Sequence, residues 1–440
     1  MPQNVPAQRD PSMEQTAAGL NHIQGIEGPL HIEPDERRTL RELARCVAEL
    51  AARPIEAEKA ALWTRHNDLG ETRPLLFIDP ENGWNEIIPQ DQLRCRRPLL
   101  RVWEMALRKE IHWGQVLKDD RVIEPYFDVP YYYEDTGWGL AETIICPEDD
   151  GGAYVWDAPI KDYDRDLPRL RTPEIIIDHE RTAAIVEFAQ DILGDILTVR
   201  LRSIWWWSVG MTWDFIKLRG LENLMVDMYD NPDGVHRLMA ILRDGNMHRL
   251  DWLESEGLLP LNTGGTYVGS GGFGWTTQLP APGFDPDRVR TIDMWGFAES
   301  QETVGVGPSM FAEFIAPYQQ PLLERFGLNC YGCCEPLDRR WDVVRRFPRL
   351  RRVSVSAWAD LEVMSEYLGR EYIMSIKPSP TLLAQPQMNE EAVRDDLRRT
   401  LRITRHNVVE IIMKDNHTLG GNPRNAARWV EIAREEIDRL

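Results

Sequence analysis

Apolar positions follow two rhythms along this chain. After Pro34-Asp35-Glu36, residues Leu40, Leu43, Val47 and Leu50 recur at helical spacing, and a second helical stretch follows Pro54 through Trp63. From Leu75 onward short apolar runs alternate with helical patterns. Leu75-Leu76-Phe77-Ile78 reads as a buried strand that ends in the polar stretch 79–85. Further strands are predicted over 122–130, 197–204, 353–358, 372–377 and 408–413, and the run 327–337 reads as a buried strand that ends in a loop opening a helix. Helices are predicted over 99–111, 211–218, 220–228, 231–253, 308–326, 338–347, 361–368, 389–406 and 424–440. Residues 138–164, rich in Gly, Asp and aromatics, read as an excursion over the site, and 1–33 as a loosely docked arm.

Strand–helix alternation of this length, without a GxGxxG or Walker pattern, predicts an α/β protein with a (β/α)8 TIM barrel. The expected division is a helical extension over 1–70 and a barrel over 71–440. In such a barrel the loops after the strands converge. Asp79, Trp207, Glu299, the Cys330–Glu335 run, Trp358, Lys377 and His417 then become neighbours despite their separation in sequence.

Charge narrows the partners. The chain has 51 Lys and Arg against 71 Asp and Glu, a formal net charge of −20. Nucleic acid and anionic membrane surfaces need a basic face, so neither is expected as a partner. No apolar run is long enough for a membrane span, and the N-terminus lacks a secretory pattern, so the expected compartment is the cytoplasm. Six cysteines in 440 residues are too few for a disulfide scaffold.

Three of those cysteines lie in Cys330-Tyr331-Gly332-Cys333-Cys334-Glu335. Free cysteines commonly serve as small apolar fillers. Here two adjoin a carboxylate at a predicted strand end, and thiolates are both nucleophiles and soft metal ligands. The last strand leads into Lys414-Asp415-Asn416-His417, which makes His417 and Asp415 candidates for acid–base work or ligation. Lys377 ends another strand. Glu299, after Met294-Trp295-Gly296-Phe297, is read either as a further ligand or as a capping acid. Sixteen tryptophans are many for this length. Trp205 and Trp207, with Trp275 and Trp295, are candidates for the walls of a substrate cavity, against the alternative of a packed core. Glycines at 264, 265, 269, 271, 272 and 274 lack the following helix of a phosphate cradle and read as a substrate lid.

From residue 35 onward the order of several stretches resembles the uroporphyrinogen decarboxylase superfamily, and within it the zinc-dependent, corrinoid-linked methyltransferase branch. Gly220-Leu221-Glu222-Asn223-Leu224-Met225 with Asn231-Pro232-Asp233-Gly234-Val235-His236 looks like the family's helix pair. The segments 311–332, 374–383 and 408–432 look like its helix–strand–HxCG loop, the following strand and loop, and its closing ligand loop. Two features depart from the pattern. No arginine-rich motif holds substrate carboxylates near the first strand. Asn329 and Tyr331 stand at the His and Cys positions of the ligand loop, with cysteines displaced to 330, 333 and 334.

The resemblance implies transfer of a methyl group between a small methylated substrate and a corrinoid. Zinc would act as Lewis acid, held by Cys333 or Cys334, His417 and Glu335 or Glu299, with Lys377, Asp415 and His417 as catalytic candidates and Asp79 at the substrate. No corrinoid-binding DxHxxG stretch is present, so the corrinoid is expected on a partner protein. Self-association as a homodimer is left open. The other readings are a metal-independent decarboxylase of the same fold and a catalytically silent barrel.

Overall fold

The structure is a computed structural model that describes residues 23–145 and 155–440. The first part of the predicted arm and the middle of the predicted excursion lie outside them. Helices Pro34–Ala51 and Pro54–Asn67 start at prolines whose missing N–H costs nothing in a first turn. The first buries Leu40, Ala44, Val47 and Leu50 and packs against helices Pro98–His112 and His179–Leu193.

Eight strands take part in parallel pairing: β1 (Leu75–Ile78), β2 (Tyr126–Val129), β3 (Thr198–Leu201), β4 (Trp295–Ala298), β5 (Leu328–Tyr331), β6 (Leu350–Val355), β7 (Ile373–Ile376) and β8 (Val408–Met413). Six of them form one sheet in the order β1-β8-β7-β6-β5-β4, while β2 and β3 form a separate pair. In the large sheet Leu75 lies opposite Glu410, Ile373 opposite Val408 and Trp295 opposite Leu328.

The expected closed barrel is therefore not what the ladders make. Among the described residues no ladder joins β1 to β2 or β3 to β4. Side chains occupy both free edges instead. On β1 the amides of Leu76 and Ile78 donate to the carboxylates of Asp120 (2.8 Å) and Asp119 (3.0 Å). On β4 the Trp295 amide donates to the Asn262 side chain (2.9 Å), which returns a bond to the Trp295 carbonyl (3.0 Å), and Val209 N–H donates to the Phe297 carbonyl (2.9 Å). A paired edge has no free donors left for a neighbouring strand.

Alternation separates the faces of the sheet. Trp295, Phe297, Leu328, Cys330, Ile373 and Val408 gather on one face with Val268. Ala298, Tyr331, Met374, Val409 and Ile411 belong to the main core with the helices. Helix Arg424–Ile437 closes the chain, and its Arg434 shares the Asp120 carboxylate with Arg73 at the start of β1 (2.9 and 2.7 Å).

Two predicted helices come out shorter. The pattern over 308–326 is divided at Ile315 into Pro308–Phe314 and Ala316–Leu323, and that over 338–347 shrinks to Trp341–Val344. The excursion contains one short antiparallel pair, Thr143–Ile145 with Val155–Asp157, and a second pair, Tyr133–Asp135 with Ile175–Ile177, flanks it.

Candidate active site

The glycine run decides what can reach the strands. It is buried from Thr266 through Gly274, apart from half-buried Tyr267, and is not a lid. Gly269 and Gly272 have φ of +72° and +102°. A Cβ on the first would lie 2.8 Å from Cys330 Cβ, and on the second 2.8 Å from Glu410 Oε1. Only glycine lets backbone pass this close to the strands. The loop thus lies against β5, β6 and β8 and carries the Ser270 hydroxyl to Cys333 Sγ, 3.2 Å away.

Beneath it is a buried ionic cluster. Glu410 of β8 faces Arg352 of β6 (3.0 Å) and His66 (3.3 Å), and accepts a bond from Ser375 of β7. Arg352 also reaches Asn67 (2.7 Å) and Cys330 Sγ (3.6 Å). Burial alone would raise the Glu410 carboxyl, but Arg352 and His66 hold it at about 2. The Lys377 amine, fully enclosed, bonds the Ser375 hydroxyl (2.7 Å), and burial lowers it to about 8.

At the ends of β1, β5 and β8 a second cluster forms. Cys333 Sγ lies 3.7 Å from Cys334 Sγ and 3.9 Å from Lys414 Nζ. Lys414 Nζ in turn lies 3.1 Å from Asp415 Oδ1 and 3.7 Å from Glu81 Oε1, and Asp415 Oδ2 is 3.8 Å from Cys334 Sγ. The neighbouring Cys334 thiol, with Lys414 and Ser270, lowers the Cys333 thiol to about 6 against the effect of burial, and the same contact raises Cys334. Burial acts against the charge on Lys414, but the Cys333 thiolate and Glu81 keep it protonated well above its usual range. Burial raises Asp79 and raises Glu81 to about 8, so at neutral pH the Glu81 carboxyl stands protonated 3.7 Å from the Lys414 nitrogen.

The residues singled out in the sequence divide. Cys333, Cys334 and Asp415 meet here. His417 does not join them: it is exposed, and its Nδ1 pairs with the Asn82 side chain (3.2 Å). Glu335 has a bracing role, with one oxygen accepting from the Cys333 amide (2.8 Å) and the other from the Ser300 amide (2.9 Å). Glu299 accepts from the Ser208 hydroxyl (3.2 Å) and the Gln301 amide (2.9 Å). Asp79 accepts from the Glu81 amide (3.1 Å) and the Trp84 indole (3.3 Å).

Of the tryptophans, Trp205 is core: its indole donates to the Leu258 carbonyl (2.8 Å) and its ring packs on Tyr131 and Tyr133. Trp207 is half-buried against Phe297, in the cluster that holds Cys333 and Cys334. Trp295 supports the glycine run through its indole bond to the Gly274 carbonyl (2.9 Å), with the Arg352 guanidinium over its ring, and the Trp275 carbonyl accepts from Asn67 (2.7 Å).

Sequence reasoning missed Lys414, Glu81 and Ser270. Lys414 directly follows an apolar strand, as Lys377 does, and that signal was available. Nothing local marks a serine inside a glycine run as a thiol partner.

The expected zinc can be tested against these positions. Two thiolates on one tetrahedral zinc stand about 3.8 Å apart, which the cysteine pair matches. The remaining donors do not fit: Glu335 and Glu299 are spent on hydrogen bonds, His417 faces Asn82, and the Lys414 ammonium lies beside the sulfur. Among the described residues no three His, Cys, Asp or Glu side chains are grouped so as to hold an ion.

No protein-family model matches the chain, and no curated protein matches it. Among solved structures it is similar to a methyltransferase from Methanosarcina mazei, at 11% identity over 86% of this chain and 97% of that chain, with a TM-score of 0.47. That likeness is too distant to assign a fold or an activity. Among the described residues no helix is long and apolar enough to cross a membrane.

Proposed function

We propose that this chain moves a methyl group from a small methylated donor, and that the Cys333 sulfur is the atom that receives the carbon. The observation that carries the reading is a thiol held at about 6 at the strand ends, with the Glu81 carboxyl, raised by burial to about 8, on the other side of the Lys414 nitrogen they share. A thiolate is a strong nucleophile toward carbon, and an alkoxide or amide leaving group needs a proton. A parallel sheet of six strands and a separate parallel pair support a barrel-like frame, and in a barrel these strand ends form the site.

In the first step the sulfur lone pair forms the S–C bond. The C–O or C–N bond breaks, its electron pair goes to the heteroatom, and the Glu81 carboxyl supplies the proton. The Cys334 thiol, half-buried 3.7 Å from the Cys333 sulfur, gives way as the donor approaches from its side. Trp207 and Phe297 form the aromatic wall. A corrinoid on a separate protein would supply the stronger nucleophile that accepts the carbon, with Cys333 leaving as the thiolate that Lys414 and Ser270 hold.

The test is mass analysis of the full chain after incubation with methoxylated aromatic acids or methylamines, then with reduced cobalamin. One methyl should appear on the peptide containing Cys333, leave on addition of the corrinoid, and be absent from Cys333→Ala. The rate should rise with pH through about 6, as the thiolate forms, and fall through about 8, as Glu81 loses its proton. Release of CO2 without methyl uptake would select decarboxylation instead. Turnover that survives in Cys333→Ala would overturn the assignment.

A further inference from the structure

We infer that the resident cation of the thiol site is the chain's own Lys414 ammonium, standing where the family resemblance implies zinc. The inference rests on the proposed function in taking Cys333 as the reacting sulfur, and what carries it is the placement of the Lys414 nitrogen.

Lys414 is 7% exposed and leaves β8 directly into the site. Its nitrogen has the surroundings of a bound cation: Cys333 Sγ at 3.9 Å, Asp415 Oδ1 at 3.1 Å and Glu81 Oε1 at 3.7 Å. Sulfur, carboxylate and carboxyl come from three different strand ends, so the ammonium ties β1, β5 and β8 together as an ion would.

Besides its own Cβ the sulfur has the Ser270 hydroxyl at 3.2 Å, Cys334 Sγ at 3.7 Å and Lys414 Nζ at 3.9 Å. Two of these directions are held by a hydroxyl and an ammonium, and neither the carboxylates nor the imidazole of the implied ligand set reaches the sulfur. A dication on this sulfur would also sit within a few Å of a fixed positive charge, and that repulsion is strong in a buried site. The side chains that could have completed a ligand set serve elsewhere. Both Glu335 oxygens hold backbone amides, and His417 pairs with Asn82 in solvent.

The chemical consequence is that the thiolate is free rather than metal-bound. A zinc-bound thiolate has much of its electron density drawn into the metal, whereas an ammonium neutralises charge through space and leaves the sulfur lone pair available. Lys414 is thus a positioning residue for Cys333.

The experiment compares the full chain with Lys414→Met, Lys414→Arg and Cys333→Ser, all purified without oxygen from zinc-supplemented cells. Two quantities are read: zinc per chain by elemental analysis, and thiolate near-ultraviolet absorbance at neutral pH as the difference from Cys333→Ser. The expected result is zinc far below one per chain in the unaltered protein. One thiolate equivalent should be present there and in Lys414→Arg, and reduced by about tenfold in Lys414→Met. Lys414→Arg keeps the charge and controls for folding. Stoichiometric zinc that disappears in Cys333→Ser would overturn the inference, as would full thiolate absorbance in folded Lys414→Met. Neither quantity depends on turnover, so failure of methyl transfer leaves this result standing, and the reverse also holds.

Discussion

Replacing Arg352 by Met tests the floor under the site. Arg352 and Glu410 are 2% and 0% exposed at their side chains and 3.0 Å apart. The carboxyl is held at about 2 instead of its ordinary 4.5. That difference corresponds to about 3 kcal/mol of stability. Because the folded value is depressed, the contribution is complete above about 4.5 and is lost as pH falls through about 2. Arg352→Met leaves the carboxylate with His66 and Ser375 alone, and breaking a buried pair on one side costs about 3–5 kcal/mol. Glu410→Met strands the guanidinium and should cost a similar amount. The double replacement Arg352→Met/Glu410→Met removes both charges and should recover most of the loss, giving a coupling of about 2 kcal/mol or more. Urea unfolding at neutral pH, followed by tryptophan fluorescence at constant slope, measures all four proteins. A loss below about 1 kcal/mol for Arg352→Met, or additive single effects, would show that the pair does not hold the strands as described.

The two outer tryptophans of the Trp205–Trp207 run should respond differently. Trp205→Ala removes a core indole and should lower stability by about 3–5 kcal/mol, while Trp207→Ala should mainly raise KM for the methyl donor; equal effects of both on stability and none on KM would retire Trp207 as a substrate wall. Gly272→Ala should cost about 1–3 kcal/mol, since its Cβ would press on the Arg352–Glu410 pair at a positive φ; a protein of unchanged urea midpoint would mean that the glycine run does not pack there.

Much of the frame was legible because local signals and burial agreed. Pro34 and Pro54 mark true helix starts, and Leu75 to Ile78 is a strand with the predicted bounds. The thiol pair and Asp415 could be placed together because polar residues past strand ends converge in a parallel α/β fold. Closure of the barrel was not legible: whether β1 meets β2 is decided by Asp119 and Asp120 reaching back to β1 amides, a tertiary contact with no local signature. The glycine run was misread for a similar reason. Absence of side chains signals either mobility or close approach, and only the positions of Cys330, Arg352 and Glu410 show that it is close approach. His417 outranked Lys414 in the sequence because imidazole is the commoner ligand, although Lys414 is the residue directly continuing the strand.

The clasp at Asp120 has a consequence for how this protein is made. Arg73 and Arg434 bind the same carboxylate, the latter across 314 positions, and β1 pairs along one edge with β8. On the ribosome β1 emerges well before β8, its one ladder partner among the described residues. Throughout that interval Leu-Leu-Phe-Ile has an open edge, the kind of apolar stretch that recruits other chains. A message truncated before β8 would yield a polypeptide that retains Cys333 and Cys334 but never completes its sheet. Synthesis as far as β8 is thus the step that covers this edge, and slow translation between β1 and β8 would lengthen the window for aggregation.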